Sequence, residues 1–202
     1  MQTRLPTEER QVEIAAAALR LAGEISPALI TTAQIAEEVG ISQGAVFRHF
    51  TAKDQIWHAA MVWVRTELLA AIEAAAQAAP SPLEALRAVF KAHVEFVAIH
   101  PGVPRFIFHE MESAKDSPVK REVRSLLRSY RELLLALLDR AAQRDLLSAG
   151  LDRDAAATLL VGAVQGLIMQ AMAAGRANAL KTQADAVFTI YLQGICGGRR
   201  AK

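Results

Sequence analysis

Arg48, His49 and Lys53 bring three cationic or proton-binding side chains close together, just after a run of small and polar residues, Gln43, Gly44 and Ala45. Cations gathered at one point of a weakly charged chain suit contact with a nucleic acid. The residues before them form a device for holding such a cluster. Thr31 and Gln34 have the spacing of a capping box, in which each side chain bonds the other's backbone N–H. Ile35, Ala36 and Val39 give the following helix one apolar face. Gly40 supplies a turn residue able to take a positive φ, and Ile41 is expected to be the buried post of the turn. Ser42 caps the next helix, which turns Val46 and Phe50 inward at i and i+4. Two short helices across a tight turn are a helix-turn-helix, and its second helix is of the kind that enters a DNA major groove.

Other reactive groups are sparse. His93 and His100 are seven apart, on one helical face, and His109 follows with Glu110 and Glu112 nearby. That spacing matches no standard ligand set, so no metal and no cofactor are expected. Cys196, the single cysteine, excludes a disulfide framework and points to a reducing cytoplasm. No nucleophile elbow, phosphate loop or nicotinamide fingerprint occurs, which argues against an enzyme.

The composition fixes the fold class. Hydrophobic residues make up 52% of the 202, charged residues 22% and aromatics only 5%, with alanine and leucine dominant. Such a chain can bury a sizeable core and favours helix throughout. Proline, glycine and capping residues divide it into about nine helices with no convincing strand. They are expected at residues 7–22, capped by Thr7, then in the helix-turn-helix of residues 32–50. Further helices are expected at 53–79, 83–99 and 103–113, then at 118–147, 153–175 and 180–195, with a frayed basic tail over 197–202. The apolar run at 159–175 contains Gln165 and Gln170 and falls short of the roughly 20 residues of a membrane span. It reads as a helix buried on most sides. The formal net charge is +2, yet the first 58 residues hold five basic against seven acidic side chains. DNA binding must therefore rest on where the charges sit, not on their sum.

A three-helix module followed by a longer helical domain resembles the TetR family of transcriptional regulators. The resemblance is carried by Thr31, Thr32, Ile35, Ala36, Gly40, Ser42, Gly44, Phe47, His49, Phe50 and Lys53. Where the family usually has tyrosine this chain has Phe47, so a hydroxyl contact to phosphate is absent. The resemblance implies an all-α protein, with a DNA-binding domain in residues 1–52 and a ligand-binding and dimerisation domain in residues 53–202. It implies that residues 42–50 lie in the major groove, with Ser42 and Gln43 at the helix head, Gln43 pairing with adenine, and Gly44 allowing close approach. Ala45 would touch a thymine methyl, Phe47 a sugar or thymine methyl, and Arg48 guanine or phosphate. His49, Lys53 and Thr32 would be phosphate contacts.

The same resemblance implies a homodimer on a palindromic operator of double-stranded DNA, through the last two long helices, where Gly162 and Gly166 permit close approach. It also implies a cavity for a small hydrophobic effector. Its candidate lining is Met61, Val64, Phe90, His93, Val97, Phe106, His109, Tyr130, Gln165 and Met169, with Leu68, Val94, Met111, Leu134 and Met172 as further apolar candidates. The kinked residues 100–106 would pass ligand binding to the long helix that starts at Lys53. The reading is a ligand-responsive repressor in the cytoplasm, with a DNA-binding regulator or activator lacking an inducer as the alternative.

Overall fold

A computed structural model describes residues 6–175 and 177–196; the expected basic tail at 197–202 lies outside the described residues. The described residues form nine helices and no strand: α1 (Thr7–Ala22), α2 (Thr32–Val39), α3 (Gln43–Phe47), α4 (Lys53–Ala78), α5 (Pro82–Ile99), α6 (Gly102–Glu112), α7 (Pro118–Ala142), α8 (Arg153–Ala174) and α9 (Ala177–Cys196). They pack as two compact units. The first takes the chain up to Glu67 together with His100–Leu126, and the second takes Leu68–Ile99 with the chain from Leu127 onward. By packing, then, the chain does not divide at a single point after residue 52: α6 and the start of α7 join the first unit.

In the first unit, local chemistry sets most helix ends. Thr31 Oγ1 accepts from the Gln34 N–H at 3.2 Å, and Gln34 Oε1 accepts from the Thr31 N–H at 2.8 Å. Gly40, at φ 74°, ends α2, and the Ile41 N–H donates to the Ala36 carbonyl at 2.9 Å, closing a Schellman turn. α1 starts differently from expectation. Pro6 stands at its N-cap and Thr7 is the first helical residue, because the Arg10 N–H already bonds the Pro6 carbonyl. α3 is shorter than residues 42–50. After Phe47 the chain continues as a turn, but the Phe50 N–H still bonds the Val46 carbonyl at 3.0 Å, so Val46 and Phe50 stay buried. Ile41 is only half-buried. The core of this unit joins Ile14, Ala18 and Leu19 of α1 to Ile35, Val46, Phe50, Ile56, Met61 and Phe106.

α6 closes on α1 at a single glycine. A Cβ on Gly102 would lie 1.8 Å from the Leu19 carbonyl oxygen and 2.8 Å from the Gly23 nitrogen, so only glycine lets the two backbones meet here. On the same helix, Phe106 stacks on Trp57 of α4 with ring centroids 4.7 Å apart.

The second unit is built on α5, α8 and α9. α7 stops at Ala142, earlier than expected, because Asp145 adopts the left-handed conformation at φ 55° and the Leu146 N–H folds back to the Ala141 carbonyl. Aspartate tolerates that conformation, so no glycine was needed. Asp152 caps α8 by accepting from the Asp154 and Ala155 N–H groups, both at 3.0 Å. α8 is long and apolar enough, by length and composition, to cross a membrane, with mean hydropathy 1.6. It is not buried on most sides. Leu160, Val164, Leu167 and Ile168 point into the unit, while Leu159, Gly162, Gln165 and Met169 are left exposed.

Candidate nucleic-acid interface and interior cluster

The turn between α2 and α3 places most of the expected DNA-contacting residues outward. Ser42 caps α3 by accepting the Ala45 N–H at 3.2 Å. Gln43, Gly44, Phe47 and Arg48 are exposed. Phe47 keeps 47% of its surface, so its ring lies on the same outward face as Gln43 and Arg48. A Cβ on Gly44 would meet only the Ser42 hydroxyl oxygen at 4.0 Å, so this face is open to an approaching backbone. Ala45 is the correction: at 9% exposure its methyl belongs to the interior, not to a thymine. α3 has five residues, so its summed dipole is small.

Three contacts brace the cluster. Gln43 Nε2 donates to Thr32 Oγ1 at 2.8 Å, linking the heads of α3 and α2. The His49 carbonyl accepts from Gln11 Nε2 at 3.1 Å, which ties the end of the reader to α1. Lys53 Nζ reaches the Pro27 carbonyl at 3.4 Å and leaves its other protons for an anion. Arg20 pairs with Glu38 at 2.7 Å, which offsets the charge of one acidic side chain of the module. Sequence reasoning missed Gln11; a polar residue in the amphipathic stripe of α1 was its only signal.

The expected effector residues are divided between the two units. Met61, Val64 and Phe106 are core of the first unit. His109 also lies there, part-exposed and paired with Glu112 at 3.4 Å. Gln165 and Met169 are exposed on the outer face of α8, away from any interior lining, because an apolar helix gives no phase by which to choose its sides.

The structure does bring together Phe90, His93, Val97 and Tyr130, all buried in the second unit. His93 Nδ1 stands 3.3 Å from the Tyr130 hydroxyl. Burial lowers the His93 pKa to about 4, so the ring is neutral at ordinary pH. Burial pushes the Tyr130 phenol up, aided by nearby Tyr191, and pushes Tyr191 up as well. Tyr191 is only 5% exposed and its hydroxyl has no hydrogen-bond partner among the described residues. Reading α9 only as a dimer helix missed this inward face. The spacing of Ala184, Phe188, Tyr191 and Ile195, all buried, was the available signal. Among the described residues no group of three His, Cys, Asp or Glu side chains could hold a metal.

α8 and α9 also leave an open, mostly apolar groove of about 510 Å³, whose lining includes Leu159, Ala163, Val187 and Ile190 and reaches Asp152 and Tyr191, so Tyr191 belongs to both groove and cluster. Leu159 and Ile190 keep 60% and 70% of their surface.

A capped helix-turn-helix with an exposed reader face, joined to a second helical unit, defines a DNA-binding regulator. The model of bacterial regulatory proteins of the tetR family matches residues 14–60, and the Tetracyclin repressor-like C-terminal domain matches residues 79–192. The chain belongs to the TetR family of transcriptional regulators, DNA-binding proteins and not enzymes. It is 23% identical over 137 residues to the nucleoid occlusion factor SlmA of Vibrio vulnificus, covering 68% of this chain and 70% of that protein. To SlmA of Shewanella amazonensis it is 25% identical over 141 residues, covering 70% and 72%. Among solved structures, FadR of Bacillus halodurans, a fatty acid degradation regulator, matches with TM-score 0.80 and 17% identity over 100% of both chains. FadR of Bacillus subtilis, solved with stearoyl-CoA, gives TM-score 0.78 at 17% identity over 91% and 98%. The ketosteroid regulator KstR2 of Mycobacterium tuberculosis gives 0.74 at 18% over 97% of both.

Proposed function

We propose that the protein is a ligand-responsive repressor that binds a palindromic operator as a homodimer and is released by a small apolar molecule. The observation that carries the DNA part is the joint exposure of Gln43, Gly44, Phe47 and Arg48 on one capped helix-turn-helix whose inward residues Ile35, Val46 and Phe50 are buried. In this reading Gln43 and Arg48 meet base edges, Phe47 packs on sugar or a thymine methyl, and Thr32, Ser42, His49 and Lys53 fix register on phosphates. One short reader covers few base pairs, so two copies are needed. The exposed groove between α8 and α9 supports a dimer built on those helices, since an apolar surface of that kind gains by burial against its own copy. A protein of this kind works in the cytoplasm, where the DNA is.

The effector part rests on His93, Tyr130 and Tyr191. They are neutral hydrogen-bonding groups in an otherwise apolar core, and an unpartnered buried hydroxyl costs about 1–3 kcal/mol unless something satisfies it. A ligand with an apolar body and an uncharged polar group fits that chemistry. The stearoyl chain of the stearoyl-CoA bound to one structural neighbour and the ketosteroid in the name of another share the apolar body, although the CoA part of the former is charged. For the response, α6 is the natural carrier: Gly102 seats it on α1 and Phe106 on Trp57 of α4, so a shift of α6 would reach the reader by two routes.

The names of the SlmA relatives favour a second reading, a DNA-binding factor without an inducer. A gel shift on DNA upstream of the protein's own gene, repeated with apolar candidate effectors, separates the two. Release by an effector supports the repressor, and binding that no effector changes supports the second reading.

A further inference from the structure

We infer that Thr32 is a positioning residue for base readout: its hydroxyl holds the Gln43 carboxamide in the orientation that reads adenine, and couples that reading to a phosphate contact. The inference rests on the proposed role of Gln43 as a base reader.

The geometry is a single bond between two helices. Thr32 is the first residue of α2 and Gln43 the first of α3, and Gln43 Nε2 donates to Thr32 Oγ1 at 2.8 Å. Thr32 is spared for this because Thr31, not Thr32, caps α2. Ser42 likewise caps α3, so Gln43 need not serve its own helix. Both side chains are therefore free of capping duty and face each other across the turn.

A hydroxyl has one proton to donate and two lone pairs to accept with. With Oγ1 accepting from Gln43, the Thr32 O–H stays available for a phosphate oxygen. An anion at Thr32 takes that proton and leaves the oxygen only the acceptor role toward Gln43. The amide nitrogen is then held facing Thr32, and Gln43 presents its second N–H and its Oε1 outward. Adenine offers the matching pair in the major groove, an acceptor at N7 and a donor at N6. A glutamine on a flexible stem must otherwise lose rotamer freedom to make two bonds at once. Thr32 removes part of that loss beforehand, and it does so most strongly when the phosphate is engaged.

The full-length protein is used to select sites from random DNA, and preferences are compared for wild type, Gln43→Ala, Thr32→Val, Thr32→Ser and the double variant Thr32→Val with Gln43→Ala. Valine keeps the shape of threonine and removes the hydroxyl; serine keeps the hydroxyl. Expected is a loss of preference at one base pair per half-site for Gln43→Ala, on the order of 10-fold. Thr32→Val should weaken preference at that same base pair several-fold and lower affinity for every sequence. Thr32→Ser should retain the preference, and the double variant should discriminate no worse than Gln43→Ala alone. If Thr32→Val lowers affinity evenly and leaves the base preference intact, Thr32 is a phosphate contact only and the inference fails while Gln43 readout stands. If Gln43→Ala changes no preference, the reader role and the inference fall together.

Discussion

His93 Nδ1 and the Tyr130 hydroxyl stand 3.3 Å apart inside the second unit, joining α5 to α7 where both side chains are out of water. With the His93 pKa lowered to about 4 by burial, the folded protein holds a neutral ring that the unfolded chain would protonate near 6.5. The unfolded state thus binds the extra proton between those values, and stability rises with pH across that window. Acidifying from pH 6.5 to 4 should cost about 3 kcal/mol through this group, by the 1.36 kcal/mol carried by each pKa unit. Urea midpoints at pH 7, 6 and 5 check it. His93→Gln should lose much of the slope; a slope unchanged in that variant would assign the acid sensitivity elsewhere.

Tyr191 offers a test in which stability and binding move in opposite directions. Its hydroxyl is buried without a partner, so Tyr191→Phe should raise the unfolding free energy by roughly 1 kcal/mol. If the effector uses that hydroxyl, the same change lowers effector affinity, read as a smaller ligand-induced rise in Tm. A destabilised Tyr191→Phe protein would show that the hydroxyl has a partner after all.

Gly102→Ala should be far costlier than an exchange of one methyl suggests. The new Cβ would overlap the Leu19 carbonyl, and neither backbone can yield as a side chain would. We expect a loss of about 2–4 kcal/mol by thermal or urea melting, in the range of overpacked sites. DNA affinity should also fall at temperatures where the variant remains folded, because α1 braces the reader through Gln11 and His49. Unchanged stability would mean that α6 does not close on α1.

Charge on the outer groove should separate the copies. Leu159→Glu and Ile190→Glu replace exposed apolar side chains and remove little from the subunit's own core. Sedimentation should show a dimer for wild type and a monomer for the pair of substitutions, with operator affinity reduced at least 10-fold. A monomeric wild type would remove the proposed interface.

Lys53→Ala should weaken all DNA sequences alike. Losing one phosphate contact lowers the slope of log affinity against log salt by about 0.9. A slope unchanged in Lys53→Ala would confine this side chain to its bond with the Pro27 carbonyl.

What could be read from the sequence was what local chemistry decides. The Thr31–Gln34 box, the turn at Gly40, the cap at Ser42 and the burial of Val46 and Phe50 depend on spacing within a few residues. Phase and tertiary approach were less visible. α8 is apolar nearly all round, so nothing in it said that Gln165 and Met169 would face outward. Ala45 is small enough to suit either side of α3. Glycine at residue 102 was visible, but its contact with Leu19 lies more than eighty positions away in the chain. The bond from Gln43 to Thr32 is likewise a product of how two helices meet, not of either helix alone.

The most direct test of the account is to select DNA from a random pool with the full-length protein and sequence what it retains. The account predicts a palindromic motif whose half-sites lie about one helical turn apart, 34–36 Å centre to centre, or a multiple of it, and whose information drops at one position per half-site in Gln43→Ala. Recovery of no enriched motif, or of one indifferent to Gln43, would contradict it.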